Sequence, residues 1–393
     1  MRIVGVIAEY NPFHLGHAHQ LREARQLAQA DAVVVVMSGC FTQRGDAALL
    51  SPADRARMAL ECGADAVFAL PAVWAVRDAE HFALGGTALL SGLGCDAISF
   101  GTETADLPLL QETARLLEKP GEGFNAAVRA HMNDGVPYPA AVAAAMEEAH
   151  PGCGALLAQP NSTLAVCYLR AMLRLGTSMD VCPVVRLGGY HATALTEALP
   201  SATALRGAIL RGDWSRIKSA MPGAAYEILR EAAQAGRLHQ RAALDGALMY
   251  RLRTMTAEDY AHLPDVSEGI EHRLMHAAEA ALSREELLQA AKTRRYPYAR
   301  LSRMATHALL GITDDLLEGE ALPGAAWLLG FRQEVRGLFA HFREKGSLPI
   351  IGKAADADRA QPWISAELRA CDVWALGAGL PSGLALRQGV TVI

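Results

Sequence analysis

Along the first hundred residues, short unbroken apolar runs alternate with longer stretches of helical period. Residues 2–7, 32–37, 64–70 and 96–101 read as strands. The second of them, Ala32-Val33-Val34-Val35-Val36-Met37, is apolar throughout, as a parallel strand covered on both faces tends to be. Residues 15–30 and 78–93 read as helices between them. Ser51-Pro52-Ala53-Asp54 opens another, with serine as the cap and proline at the first helical position. Strand and helix alternating at this spacing predict right-handed crossovers and an α/β fold with a doubly wound parallel sheet. Residues 107–173 read as mostly helical, with breaks near 135–139 and 159–161, and residues 181–187 as a fifth strand. From residue 201 the pattern predicts helices almost to 345, then a loop or short strand at 346–352, then one helix and a terminal strand. The expected division is an α/β part over 1–210 and a mainly helical part over 211–393.

Composition narrows this picture. A chain of 393 residues exceeds one ordinary core, and its 51% hydrophobic and 20% charged residues suit a globular protein. The apolar run at 32–37 is far too short to span a bilayer, and residues 1–8 lack the features of a secretory signal, so a cytoplasmic protein with no membrane partner is expected. The seven cysteines are scattered with no C-x-x-C pair, which argues against a zinc site and a disulfide framework. A net charge of −5 gives no global attraction to nucleic acid, so any such contact must be a local patch.

The densest chemistry lies in the turn after the first strand: Asn11-Pro12-Phe13-His14-Leu15-Gly16-His17. Ligands of open parallel sheets collect beyond the carboxyl ends of strands. With helix from Leu15 onward, backbone amides and the positive end of the helix dipole face whatever lies over the turn. His14 and His17 can share one face, and Gly16 between them lets a phosphate or adenine approach the backbone. Two imidazoles beside helix amides suit the charge that builds on phosphate as pyrophosphate leaves. The bland alternative is two surface histidines near a helix start.

Phe13-His14-Leu15-Gly16-His17 resembles the signature of the adenylyltransferase and class I aminoacyl-tRNA synthetase superfamily. The wider text, Val6-Ile7-Ala8-Glu9-Tyr10-Asn11-Pro12-Phe13-His14-Leu15-Gly16-His17 and then Met37-Ser38-Gly39-Cys40-Phe41-Thr42-Gln43-Arg44-Gly45-Asp46, resembles the bacterial tRNA(Met) cytidine acetate ligases. Ala79-Glu80-His81-Phe82-Ala83, Ser99-Phe100-Gly101-Thr102-Glu103, Pro160-Asn161-Ser162 and Thr293-Arg294-Arg295-Tyr296 extend the resemblance over most of the chain. It implies a nucleotidyltransferase-like, ATP-binding domain followed by a helical, tRNA-binding region. The implied reaction activates acetate with ATP as acetyl-adenylate and acetylates N4 of the wobble cytidine of elongator tRNA(Met). It makes His14 and His17 the catalytic candidates and places residues 7–17 against ATP, together with Gly101, Asn161, Arg186, Ser201, Thr203 and Arg206. One position departs from the family pattern: glutamate follows Gln-Arg-Gly in relatives, whereas this chain has Asp46.

Each supporting residue has a plainer reading beside it. Arg44 can hold a phosphate or the tRNA backbone, or belong to a solvated turn at Gly45. Gly101 can make room for a nucleotide or simply end a strand. Asn161 can contact ATP or cap a helix. Arg186, at the end of the fifth strand, is costly within an apolar run unless paired, so a phosphate or carboxylate partner is expected. Ser201-Ala202-Thr203-Ala204-Leu205-Arg206 opens a helix whose hydroxyls and amides suit an anion, or is an ordinary serine cap with an exposed arginine.

On the tRNA side, residues 292–303 hold five basic residues (Lys292, Arg294, Arg295, Arg300, Arg303) and no acidic one, interleaved with Tyr296 and Tyr298. Guanidinium groups fix phosphates, and aromatic faces can stack on an unpaired base. A solvated helix start is the alternative. Mg²⁺ is expected because ATP usually arrives with it, but no carboxylate cluster announces a dedicated metal site. Two rival functions stay open: a small-molecule adenylyltransferase and a non-catalytic tRNA-binding protein.

Overall fold

A computed structural model describes residues 1–186, 201–267, 269–335 and 337–393. Eight strands form one sheet: β1 (Ile3–Ala8), β2 (Ala32–Ser38), β3 (Ala66–Leu70), β4 (Ala97–Thr102), β5 (Asp180–Val185), β6 (Ala326–Phe331), β7 (Ile350–Ile351) and β8 (Thr391–Val392). Their order is β5-β4-β1-β2-β3-β6-β7, with β8 also beside β6. The five N-terminal strands pair in parallel. Strand order runs outward from β1 through β2 to β3, then returns to β4 on the other side of β1. The topological switch point therefore lies between β1 and β4, where ligands of such sheets bind. Residue 187, the expected end of the fifth strand, lies outside the described residues.

The alternation of side chains along the strands divides the core. Ile3, Ile7, Val34, Val36 and Phe68 face the helices Ala79–Gly92, Pro160–Leu175 and Pro362–Gly377. Val4, Val6, Val33, Val35 and Met37 face Leu15–Leu27, Pro52–Glu61, Ala202–Arg211 and Gly223–Gln234. Both faces are covered, which is why β2 is buried at every position.

One expectation for the C-terminal part is corrected. The pattern puts residues 326–331 within a helical stretch, but they form β6, antiparallel to β3. A six-residue apolar run does not distinguish a strand from a buried helix by period. The open edge of β3 decides the matter. The sheet is therefore mixed at that edge, with β7 and β8 both parallel to β6.

Residues 248–308 build a separate helical core around Leu274, Leu287, Leu301 and Met304. It clamps the loop after β2. Arg284 Nη2 and Thr306 Oγ1 donate to the Gly45 carbonyl at 2.8 and 2.5 Å, and Ser302 Oγ donates to the Arg44 carbonyl at 2.7 Å. Gly45 has φ +80°, and a Cβ there would lie 2.7 Å from the Ser302 carbonyl oxygen, so the residue must be glycine.

Candidate active site

The chain leaves β1 through Tyr10, a buried residue at φ +47°, a region that non-glycine residues rarely enter. His14 then caps the helix Leu15–Leu27. Its Nδ1 accepts from the Gly16 amide at 3.1 Å, and Nδ1 of His17 accepts from the His14 amide at 3.2 Å. The two rings stack with centroids 3.7 Å apart. Because both Nδ1 atoms accept, each neutral ring carries its proton on Nε2. Burial holds the His14 imidazole down to about 3, and burial with the His14 neighbour holds His17 well below the usual range. The pair thus offers two N–H donors without a charge of its own.

This arrangement changes two expectations. The amides of His14 and Gly16 are not free for an anion, since the imidazoles accept from them. Gly16 makes room for a ring rather than for a ligand alone: a Cβ there would stand 2.9 Å from His14 Cε1.

A cavity of about 310 Å³ opens at the switch point. Residues 7–11 and His17 form its floor, and Gly101, Asn161, Arg186 and Arg206 its walls, with Gln43 and Arg44 at one side. A Cβ on Gly101 would meet only the aliphatic stem of Arg186, at 3.4 Å, so nothing in the protein itself excludes a side chain there. That is what a wall kept clear for a ligand looks like. Asn161 is not an N-cap, because Gln159 occupies that position. The Asn161 side chain donates to Glu103 at 2.6 Å and accepts from Arg186 Nη1 at 3.2 Å. Glu103 also accepts from the Ser162 amide and hydroxyl at 2.6 and 2.7 Å. Burial disfavours its charge, but these bonds outweigh burial and hold the carboxyl below its usual range. Arg186 is exposed just past β5 rather than held within the strand, and its partner among the described residues is the side-chain oxygen of Asn161.

Ser201 does cap the helix Ala202–Arg211, accepting from the Ala204 amide. Arg206 is half-buried rather than exposed. It donates to the Asn11 carbonyl at 2.8 Å and to Thr203 Oγ1 at 3.1 Å. Among the described residues, three guanidiniums, of Arg44, Arg186 and Arg206, border the cavity against one acid, Glu9. Burial raises the Glu9 carboxyl, while the Gln43 amide and the arginines oppose the rise. Pro12, Phe13, His14 and Leu15 stand behind the lining: Phe13 is buried against Tyr10 and His17.

Sequence reasoning assigns no role to Arg55 or Tyr168. Arg55, fully buried, donates to the carbonyls of Glu9 (2.7 Å), Ser38 (3.0 Å) and Gly39, tying together the ends of β1 and β2. An arginine amid Ala56, Met58, Ala59 and Leu60 is its only signal. Tyr168 reaches the cavity from mid-helix and leaves none.

The basic run divides. Arg303 is buried, with Nε 2.8 Å from Asp265 Oδ2, and Arg300 donates to the Asp265 carbonyl and to Ser267. Tyr296, expected to offer a stacking face, is 8% exposed within the helical core. Lys292, Arg294 and Arg295 remain exposed. Among the described residues, no group of three or more His, Cys, Asp or Glu side chains is arranged to hold a metal ion, and no helix is long and apolar enough to cross a membrane.

Comparison with known proteins adds family to geometry. The sequence model of the HIGH Nucleotidyl Transferase family matches residues 1–382. The tRNA(Met) cytidine acetate ligase of Acetivibrio thermocellus is 33% identical over 91% of this chain and 89% of its own. Those of Syntrophotalea carbinolica and Bacillus subtilis are 36% and 31% identical over 89% and 96% of this chain and 84% and 92% of theirs. The crystal structure of Thermotoga maritima TmcAL bound with alpha-thio ATP matches over 100% of both chains with a TM-score of 0.91 at 26% identity.

Proposed function

We infer, from the premise that the chain belongs to the HIGH nucleotidyl transferase family and groups there with tRNA(Met) cytidine acetate ligases, that it is an ATP-dependent ligase of this kind. It activates acetate as acetyl-adenylate and passes the acetyl group to N4 of the wobble cytidine of elongator tRNA(Met). The observation that carries this reading is the single cavity in which the turn of residues 7–11, His17, Gly101, Asn161, Arg186 and Arg206 converge at the switch point.

Acetate is a poor electrophile because its leaving group would be oxide. ATP converts it to a mixed anhydride whose leaving group is AMP. As acetate attacks the α-phosphorus, charge moves onto the β- and γ-phosphates. Neutral His17 donates from Nε2 at the cavity floor, with His14 stacked against it, and Arg186 and Arg206 add positive charge at the walls. Mg²⁺ arriving with ATP would be held by the phosphates and water, supplying further charge neutralisation. Neither half-reaction needs a protein nucleophile, and among the described residues no cysteine lines the cavity. Exposed Lys292, Arg294, Arg295 and Arg44 are the proposed tRNA contacts, and the cytoplasm the proposed compartment. The test is incubation with labelled acetate, ATP and tRNA, followed by nucleoside analysis. N4-acetylcytidine in elongator tRNA(Met), absent when uridine stands at the wobble position, is the expected result. Adenylyl transfer to a small molecule without acetylated tRNA would replace this reading.

A further inference from the structure

A second cavity, of about 320 Å³, adjoins the first and shares Asn11 and Arg206 with it. Those two shared residues are joined by the hydrogen bond from Arg206 to the Asn11 carbonyl. Nearby residues of the loop after β2 serve the two sides, Arg44 lining the first cavity and Asp46 the second. The second cavity has apolar walls from Phe41, Leu244 and Leu248 and charged groups from Asp46, Asp245, Arg241 and Arg284, with His239 beside them. Arg284 is 9% exposed, and its Nε–H has no acceptor. Its Nη2, by contrast, is held by Gly45, Ser302 and Thr306. At the mouth, Arg241 Nη2 lies 3.7 Å from Asp46 and donates to Tyr298 Oη at 3.0 Å, which joins this side to the exposed basic stretch.

Acyl transfer requires the attacking atom within about 3–3.5 Å of the acyl carbon, so the acceptor must sit in space contiguous with the adenylate. The second cavity adjoins the ATP site across Asn11 and Arg206, the two residues that line both. Its apolar sides suit the faces of a heterocycle. A carboxylate accepts from the exocyclic amine of cytosine, and a buried N–H with no acceptor suits the ring N3 or O2. Uracil would turn O4 toward the same carboxylate.

Resting on the reading above, we propose that the second cavity receives the extruded acceptor cytosine, with Asp46 accepting from its N4 amine and Arg284 donating to its ring edge. The N4 lone pair forms the C–N bond to the acetyl carbon. The bond from that carbon to the phosphate oxygen breaks, and its electron pair leaves with AMP. The surplus N4 proton passes to the Asp46 carboxylate and from there to solvent.

Three variants test this: Asp46→Asn, Asp46→Glu and Leu210→Trp. Leu210 lines the cavity yet is 80% exposed, so a larger side chain fills the mouth without removing packing. Acetate-dependent ATP–pyrophosphate exchange should stay at the native rate in Leu210→Trp, and in the two Asp46 variants transfer is compared with each variant's own exchange rate. Acetyl transfer to tRNA should fall about 100-fold in Asp46→Asn, as loss of a proton acceptor does, and recover most of that loss in Asp46→Glu. Leu210→Trp should slow transfer while tRNA affinity holds. Native transfer rates in both Asp46→Asn and Leu210→Trp, with the native protein acetylating tRNA, would overturn the assignment alone. A native protein that forms no acetyl-adenylate would overturn the functional reading and this assignment with it.

Discussion

Along the turn of residues 7–17, polar side chains close on one another. His17 accepts from the His14 amide, His14 from the Gly16 amide, and the two rings stack, while Asn11 takes the Leu49 amide on its side chain and Arg206 on its carbonyl. Along residues 292–303 they diverge. Arg303 turns inward to Asp265 and Arg300 binds the same residue's carbonyl, while Lys292 and Arg294 stay outside. Both stretches are short and chemically dense, so the contrast has another cause. In the turn, the strand end and the helix start fix the main chain, and the side chains have few directions left. In the basic run, the helix Tyr298–Leu310 is buried from Leu301 to Ala308 and carries Arg303 inward, whereas Lys292, Arg294 and Arg295 precede it on an exposed connection.

The sharpest way to break this contrast is at the histidines. His14→Ala or His17→Ala should cut acetate-dependent ATP–pyrophosphate exchange by about 10²–10³-fold, the usual cost of one charge-stabilising donor. His14→Ala also removes a helix cap and should lower stability by about 1 kcal/mol in urea unfolding. Unchanged exchange in both variants would remove the turn from the chemistry.

Next in size comes Arg303→Ala. Its ion pair with Asp265 is largely buried, with side chains 11% and 19% exposed, so the unfolding free energy should drop by about 2 kcal/mol. Acetyl-adenylate formation should persist. Native stability together with abolished tRNA binding would place Arg303 back on the recognition surface.

A smaller effect is expected from Lys292, Arg294 and Arg295 changed together to alanine. Stability should stay within about 0.5 kcal/mol, since all three are exposed. The slope of log affinity for tRNA against log salt should fall by roughly one unit for each phosphate no longer neutralised. An unchanged slope would leave the basic run without a nucleic-acid role.

The smallest effect is a flat pH response. With His14 held to about 3 and His17 also low, neither ring titrates between about pH 6 and 8, so exchange should vary less than about twofold there on their account. The sign for stability follows. The folded rings bind fewer protons than unfolded histidine, so this contribution is fully present above about pH 6.5 and is lost as pH falls toward the folded values. His307, buried and lowered to about 4, adds to the same acid limb. A rate limb near pH 6.5 that disappears in His17→Gln would contradict neutral donors.

Local chemistry explains what was legible in the chain by itself. The buried runs of β1 to β4, the Ser51-Pro52 helix start and the histidine turn are set by side-chain period, capping and turn residues within a few positions of each other. They announced a parallel α/β sheet and the histidine turn at the end of its first strand, and the resemblance carried on those residues named the family. Tertiary structure alone decided which segment completes the edge of β3, because Ala326–Phe331 has no period to mark it until that edge needs a partner. It decided that Glu103 fastens Asn161 to the cavity wall across 58 residues of chain, and that Arg303 pairs inward. It also brought Asp46, Arg241 and Arg284 to one cavity, since two helices pin the loop at Gly45 where the two cavities meet. Such groups are joined by packing between distant segments, and no local spacing in the chain encodes that packing.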